Sequence, residues 1–226
     1  DAYAPLVEID EIVFETVEDY QDWQDHGREI AEEALQSDDF LIWVTGNHLG
    51  ALPIYDALGR RDDSLIVQMD AHLDIHHFEG CATEPSHGNF LLHCEPPPLI
   101  NLGHRELLLT PDYIGEHFER AVSITQLLSD TTGTLTQIRR RCERASSIFL
   151  DLDCDALDPT FFPAVKHPVP VGLTPQQVLQ IIEAVWSERV RGVILSEFAP
   201  DLDQADRSLS LLVWLIEYLL LKRFEP

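Results

Sequence analysis

A run of metal-ligand side chains follows an apolar segment in the first third of the chain. In VQMDAHLDIHHF, residues 67–78, Asp70, His72 and Asp74 alternate with other residues, and His76 follows closely. Burial of so many charges is costly unless each is paired or bound to a cation. The spacing therefore predicts either a polar loop or a site for a positively charged ion.

Three further apolar segments end in the same kinds of side chain. One gives His48 in TGNH, a second gives Asp151, Asp153 and Asp155 in LDLDCDALDP, and the last gives Glu197 in SEFAPDLD. Few basic residues stand near these motifs, so side-chain pairing cannot neutralise the carboxylates. Two imidazoles with several carboxylates suit two ions of the Mn²⁺ type better than one structural zinc.

Apolar runs and helical patterns alternate along the chain, and both can be placed from the sequence. Runs rich in Ile, Val and Leu predict strands over 39–46, 64–70, 98–103, 121–125, 147–153 and 191–198. Amphipathic patterns predict helices over 22–36, 49–59, 111–119, 134–145, 174–188 and 207–222. This alternation predicts an α/β fold with three α-β-α layers around a central, mostly parallel sheet. Functional groups in such folds gather at the carboxyl ends of the strands.

Composition narrows the classes of partner. The 226 residues suffice for one large domain, taken as 1–226, and the net charge of −25 disfavours nucleic acid and anionic membranes. This negative charge would attract a cationic ligand, or it serves only to keep the protein soluble. No apolar stretch reaches the ~20 residues of a membrane span. No signal peptide is apparent and the four cysteines lack CxxC spacing, so we expect a reduced, cytoplasmic chain.

We expect the side chains of Trp43, Trp186 and Trp214 to pack in the core.

The motifs together resemble those of the ureohydrolases, the family of arginase and agmatinase. That family has GGDH, DAHxD, SxDxDxxDP followed by P…PxxGGLT, and ExNP segments. The matching segments here, in the same order, are TGNH (45–48), DAHLD (70–74), DLDCDALDP (151–159), PAVKHPVPVGLT (163–174) and EFAP (197–200). The resemblance implies the arginase-like three-layer fold.

The resemblance also implies a binuclear manganese site and hydrolysis of a guanidinium group to urea and an amine. The water that attacks would be activated between two Mn²⁺ or other divalent ions. Glu197 would hold the guanidinium, His87 in SHGN would shuttle protons, and Asp74 would serve the catalytic centre. The implied metal ligands, in which Asp70 and Asp153 bridge the ions, are His48, Asp70, His72, Asp74, Asp153 and Asp155.

Residues around the implied site depart from the family pattern. Thr45 and Asn47 replace Gly and Asp, and we expect Asn47 to orient His48 by hydrogen bonding.

The segments that bind substrate in the family differ even more from the family pattern in this chain. In the family, two positions bind the carboxylate of free arginine, and in this chain they are His76 and Thr83. The acidic residue that binds the α-amino group is replaced by Leu108, with Glu106 nearby. The chain also ends soon after the last helix, without the C-terminal tail of typical arginases. We expect a basic or arginine-containing peptide as substrate, as in compact peptide arginases that convert peptidyl arginine to ornithine. Agmatine, free arginine or another small guanidine stays open, as does a homo-oligomer.

Two other functions stay open on this fold. DIHHFEG (74–80) is similar to the DxHHGxG run of metal-dependent deacylases, in which Asp74 and His76 would bind a single zinc. A non-catalytic binding protein on an arginase-like scaffold is the second. Two manganese ions per chain would exclude the deacylase, and urea release would exclude the binding protein.

Overall fold

The computed structural model describes residues 7–9, 11, 20–77 and 84–225. The strands of the described part are β1 (Leu41–Val44), β2 (Ser64–Met69), β3 (Leu99–His104), β4 (Arg120–Ser123), β5 (Ser147–Asp153) and β6 (Val190–Ser196). Its α-helices are α1 (Tyr20–Ala34), α2 (Leu52–Gly59), α3 (Pro111–His117), α4 (Ile124–Ser129), α5 (Thr131–Cys142), α6 (Pro175–Val185) and α7 (Arg207–Phe224).

Each expected strand and helix has a counterpart, and the main difference lies at 121–125. There β4 ends at Ser123 and α4 begins at once, although the apolar run alone favours a longer strand. Ser123 and Gln126 form a capping box, in which each side chain accepts a hydrogen bond from the other residue's backbone N–H. Local polar capping therefore overrides the strand pattern. The capping box expected from Thr174 and Gln177 starts α6 in the same way.

All strand pairs in the sheet are parallel, in the order β1-β6-β5-β2-β3-β4. The chain runs from β2 outward through β3 to β4, and then returns to the other side of β2 to form β5 and β6. The connections after β2 and β5 therefore lead in opposite directions. Such a switch point opens a crevice at the carboxyl ends of the two strands, where open α/β sheets bind ligands.

Helices cover both faces of the sheet. On one face, Leu65, Val67 and Met69 of β2 pack in a core completed by α4, α5, α6 and α7. On the other face, Ile66 packs in a core completed by α1 and α2. Alternate residues of the same strand thus face opposite cores, as a strand buried on both sides requires. The expected three-layer α/β fold is confirmed.

The expectation that Trp214 packs in the core is wrong. Trp214 of α7 is 48 % exposed and stacks on Tyr218, and Val44 ends the edge strand β1 with 65 % of its surface exposed. An edge strand and an outer helix each have one side without a neighbouring element. Within the described part of the chain, no helix combines the length and apolarity needed to cross a membrane.

Candidate metal centre and active site

The carboxylates from β2 and β5 meet at the switch point of the sheet. Met69 and Leu152 are register partners, so the next residues, Asp70 and Asp153, emerge side by side. Both are buried. Strand register alone therefore brings together two anions that are 83 positions apart in the sequence.

His48 points its ring into this group of carboxylates. Its Nδ1 atom lies 3.0 Å from Asp74 Oδ2, 3.1 Å from Asp153 Oδ2 and 3.3 Å from Asp70 Oδ2. The residue begins a short 3₁₀ turn, His48–Ala51, whose N-cap is Asn47. Asn47 Oδ1 accepts a hydrogen bond from the Leu49 N–H, so it caps the turn. It therefore helps to place His48 through the backbone of the turn.

His72 lies on the other side of Asp70. Its Nδ1 atom is 3.0 Å from Asp155 Oδ2 and 3.9 Å from Asp70 Oδ1. Asp70 Oδ1 also accepts the His72 backbone N–H at 2.7 Å, which fixes the turn after β2. Two groups of potential ligands result, one of His48, Asp70 and Asp74 and one of Asp70, His72 and Asp155. The ligand atoms within each group lie within 4.8 Å of one another, and Asp70 belongs to both groups.

Within the described ranges, no lysine or arginine neutralises these carboxylates. Arg105 is near, but its guanidinium donates to the backbone carbonyls of Asp155, Ala156 and Val169, at 2.7, 2.9 and 3.0 Å. It therefore fixes the loop that follows β5, and its charge acts on the carboxylates of Asp70, Asp153 and Asp155 without an ion pair to any of them. Lys166, the other nearby base, is exposed.

Protonation of the cluster reflects this excess of negative charge. Burial and the neighbouring Asp74 raise the pKa of Asp70 to about 7, and burial with Asp155 raises the pKa of Asp153 well above its usual range. Burial would lower the pKa of His72, but the hydrogen bond and charge of Asp155 outweigh it and raise that pKa to about 9. Both kinds of shift indicate a shortage of positive charge.

The donor set fits divalent cations. Among the described residues, His48 Nδ1 and Asp70 Oδ2 are buried atoms without a hydrogen-bond partner, and they face each other across the group. Imidazole nitrogen and carboxylate oxygen are the ligand types of Mn²⁺ and related ions. A shared carboxylate between two such groups suits a pair of ions.

Glu197 and Asp74 have left-handed backbones, with φ of 61° and 49°. This conformation costs a non-glycine residue roughly 1–3 kcal/mol and is concentrated at functional sites. Glu197 Oε1 accepts the backbone N–H of His48 at 2.8 Å, so this buried carboxylate lies against the metal-ligand group.

The contacts of two other expected site residues, His87 and His76, involve other loop residues. His87 is exposed and stacks on His167, with ring centroids 5.1 Å apart. His76 donates its backbone N–H to Gly88, and its Nε2 lies 3.4 Å from Glu106 Oε2. Thr83 falls outside the described residues.

Sequence reasoning assigned no site role to Asp151, Tyr55 and His167. Asp151 Oδ2 lies 2.9 Å from His48 Nε2 and accepts the Tyr55 hydroxyl at 2.5 Å. Asp151 and Asp153 share a face of β5 by strand alternation, and this periodicity could have assigned Asp151 to the site. Tyr55 and His167 come from a helix and a distant loop, and nothing in their local sequence marks them.

Comparison with known proteins agrees with this geometry. The family model described as "Arginase family" matches residues 4–222. The agmatinase of Serratia proteamaculans is 25 % identical over 203 residues, covering 89 % of this chain and 65 % of that protein. The formimidoylglutamase of Halobacterium salinarum is 26 % identical over 198 residues, covering 84 % of this chain and 64 % of that protein. The chain thus spans just under two thirds of the length of these relatives.

Among solved structures, the arginase of Bacillus subtilis superposes with a TM-score of 0.82 at 19 % identity, covering 94 % of this chain and 83 % of that one. This similarity supports the arginase-like form of the fold. The match of the family model over nearly the whole sequence shows that the chain belongs to the arginase family.

Proposed function

We propose that this protein is an amidinohydrolase that cleaves a guanidinium group to urea and an amine with the help of two divalent cations, with Mn²⁺ as the preferred ion. One observation carries the proposal: Asp70 is shared by two groups of potential ligand atoms, in which every residue except the partly exposed His72 is buried. In this proposal His48 and Asp74 would hold one ion, His72 and Asp155 would hold the other, and Asp70 and Asp153 would contribute to both. Cations bound there would supply a nucleophile at neutral pH by lowering the pKa of a coordinated water.

Glu197 is the proposed anchor of the guanidinium. One of its oxygens already accepts the His48 N–H, which fixes the carboxylate, and the other can accept from a planar guanidinium donor. An anchor fixed by a backbone hydrogen bond loses little freedom when substrate binds. His87 is the proposed carrier of protons between the centre and solvent, a role suited to an exposed imidazole.

We propose an arginine side chain within a peptide as substrate. Leu107 and Leu108 are 91 % and 76 % exposed, where the family resemblance would place an acid for a free α-amino group. The nearby Glu106 is engaged, because one oxygen accepts the N–H groups of Leu107 and Leu108 and the other faces His76. Exposed leucines suit the apolar parts of a longer substrate, and the net charge of −25 suits a basic one.

The names of relatives favour a second candidate. Two relatives are an agmatinase and a formimidoylglutamase, so agmatine and other small guanidino or amidino compounds are alternative substrates to the peptide. A single-zinc deacylase is less well supported. His76 would then be a ligand, yet it faces Glu106, and Asp74 groups with His48 and Asp70.

The cysteines that the structure describes, Cys94, Cys142 and Cys154, are free thiols, which suits the proposed cytoplasmic location.

Urea release tests the proposal. The full chain would be loaded with Mn²⁺ and incubated with a capped arginine peptide, with agmatine and with free arginine. We expect urea from the peptide, with mass spectrometry locating an ornithine in the product. Urea from agmatine alone would overturn the peptide substrate and keep the hydrolase. If none of the guanidines releases urea and the protein binds a single zinc, the hydrolase proposal is wrong.

A further inference from the structure

A cavity lies at the amino ends of the strands, at the edge of the sheet opposite the candidate metal centre. Its volume is about 290 Å³. Leu41 begins β1, Ser147 begins β5 and Arg191 is the second residue of β6, and all three line the cavity. The candidate metal ligands lie at the carboxyl ends of β2 and β5, so the length of these strands separates the two places. A molecule in the cavity would therefore not compete with substrate at the metal centre.

One part of the cavity wall is apolar. Ala34, Leu35 and Leu41 are half-buried there, and the buried residues Leu58 and Phe149 complete this part of the lining. Apolar surface favours contact with an aliphatic group over contact with water. The volume is close to the lower end of the range of about 300–1,000 Å³ that is typical of small-molecule sites, so the ligand that fits is small.

The rest of the lining includes charges of both signs, from Arg61, Arg191, Asp38 and Asp39. Arg191 is engaged by the protein itself, because it donates to the Ser37 carbonyl at 2.9 Å and to Asp38 Oδ1 at 3.2 Å. Among the residues that the structure describes, none forms a hydrogen bond or an ion pair with the Arg61 guanidinium or the Asp39 carboxylate. One cationic and one anionic side chain are therefore available to a ligand.

These two side chains come from opposite ends of the cavity. Asp39 precedes β1 and Arg61 precedes β2, and in the sheet β6 and β5 lie between these strands. Neighbouring strands are about 4.8 Å apart, so β1 and β2 are roughly 14 Å apart. The side chain of Arg61 is long enough to span part of this distance, and Phe149 belongs to β5, between the two ends. The order across the cavity is thus anionic, apolar and cationic.

Charge also favours a ligand that is itself neutral overall. The net charge of −25 repels a simple anion, whereas a zwitterion meets no such repulsion. Helix α1 ends at Ala34, on the same side of the cavity as Asp39, and the C-terminal end of a helix favours a cation. An ammonium group therefore suits the end with Asp39, and a carboxylate suits the end with Arg61.

We propose that this cavity is a second ligand site, which binds a linear amino acid whose ammonium and carboxylate groups are separated by an aliphatic chain. Asp39 binds the ammonium group, Arg61 binds the carboxylate, and the chain between them lies on the apolar wall. The site is independent of the proposed function, because none of its residues belongs to the metal centre.

Amide chemical shifts of the full chain, labelled with ¹⁵N, test the inference with 6-aminohexanoate as the probe. We expect saturable shifts for Ser37, Arg61 and Ser146 at the cavity, and none for Ala71 and His72 at the metal centre. L-Norleucine is an isomer of the probe whose two charges are too close together to reach both side chains, and hexanoate and hexylamine each lack one charge. Each should bind about 3–10-fold more weakly than the probe, because exposed ion pairs contribute little individually.

Arg61→Gln and Asp39→Asn should each weaken binding of 6-aminohexanoate by the same factor of about 3–10. Both residues are exposed, so the variants should fold, and their thermal transitions check this. Arg60→Gln is the matched control, because Arg60 is adjacent and exposed but pairs with Glu32 and is not among the described residues that line the cavity. It should bind the probe as the native protein does.

The absence of saturable shifts, or shifts at the metal centre alone, would overturn the site. L-Norleucine or hexanoate binding as tightly as the probe would overturn the linear amino acid as its ligand. Native affinity in Arg61→Gln and Asp39→Asn, or an equal loss in Arg60→Gln, would overturn the assignment of the two charged groups. If one of the two variants fails to fold, the other carries this part of the test.

Discussion

The Nδ1 atom of His48 and the Oδ2 atom of Asp70 lie 3.3 Å apart in the interior, and neither has a hydrogen-bond partner among the described residues. Atoms of this kind are normally satisfied when buried, and each unsatisfied one costs about 1–3 kcal/mol. A cation between them would replace the missing partners of both atoms. Metal binding should therefore stabilise the native state of this protein strongly.

We predict that Mn²⁺ raises the midpoint of thermal unfolding and that a chelator lowers it. A ligand at 100 times its dissociation constant adds about 2.7 kcal/mol to the free energy of unfolding for each independent site. Differential scanning fluorimetry over a range of Mn²⁺ concentrations measures the effect. His48→Ala should lose most of the response, whereas His26→Ala, on the distant helix α1, should keep it. A midpoint that does not respond to Mn²⁺ would argue against a metal centre.

Glu197→Gln should abolish most of the activity and keep the metal centre. The glutamine oxygen can still accept the His48 N–H, so the local backbone should be preserved. The second atom becomes an NH₂ group, which cannot accept from a guanidinium donor and repels it. A lost hydrogen bond to a charged group is worth about 1.5–3 kcal/mol, so kcat/KM should fall by about 10–100-fold or more.

Urea release and Mn²⁺ stoichiometry, measured on the same sample, check the effect of Glu197→Gln. Glu183→Gln, on the exposed side of α6, is the control and should behave as the native protein does. Full activity in Glu197→Gln would exclude Glu197 as the guanidinium anchor. Loss of bound metal in that variant would make it a metal ligand.

The sequence alone predicts the part of this site that strand ends create. Asp70 and Asp153 follow apolar runs directly, and parallel strands bring such positions to one edge of the sheet. The left-handed backbone at Asp74 could not be predicted in this way, because nothing in the local pattern requires it and the Asp74 carbonyl accepts a hydrogen bond from the N–H of Leu91, 17 positions later.

Contacts between distant segments could not be predicted in the same way. Asp151 and Tyr55 are 96 positions apart, and the stacked pair of His87 and His167 joins two loops. A tyrosine on an apolar helix is usually a core residue, and its hydroxyl has a specific partner only once the helix packs on the sheet. The contacts that support the proposed metal ligands from other segments are therefore what the structure adds.

Gly172→Ala should destabilise the contact between its own loop and the loop that follows β5. A Cβ atom at Gly172 would lie 2.4 Å from the Asp158 backbone nitrogen and 2.6 Å from the carbonyl carbon of Leu157. Backbone atoms cannot move aside as a flexible side chain can, and overpacking of this kind costs about 1–3 kcal/mol. Urea denaturation with and without Mn²⁺ measures the loss, and the metal-dependent part of the stability should fall as well.

Gly115→Ala is the control for Gly172→Ala, because it is the same substitution at a glycine with room for a Cβ atom. A Cβ atom there meets nothing within 4 Å, and Gly115 lies in α3. Alanine at a helical position is favoured over glycine by up to about 1 kcal/mol, so this variant should be as stable as the native protein or more so. Equal stability of Gly172→Ala and the native protein would mean that the backbone near Asp158 adapts to the added methyl group.

Asp158→Asn should destabilise the protein at neutral pH and lose its effect in acid. Hydrogen bonds from Thr160 and from the Gly172 N–H lower the pKa of Asp158 from its ordinary value of 3.8 to about 2. Because the folded state lowers this pKa, the carboxylate contributes stability that is present above 3.8 and is lost as the pH falls through about 2. The difference in free energy of unfolding between native protein and variant should therefore be constant near neutrality and shrink across that window. Urea denaturation in chelator at a series of pH values measures it, with the exposed Asp201→Asn as control. A difference that stays constant down to the lowest pH would show that asparagine disrupts the loop by its shape, independently of the charge of Asp158.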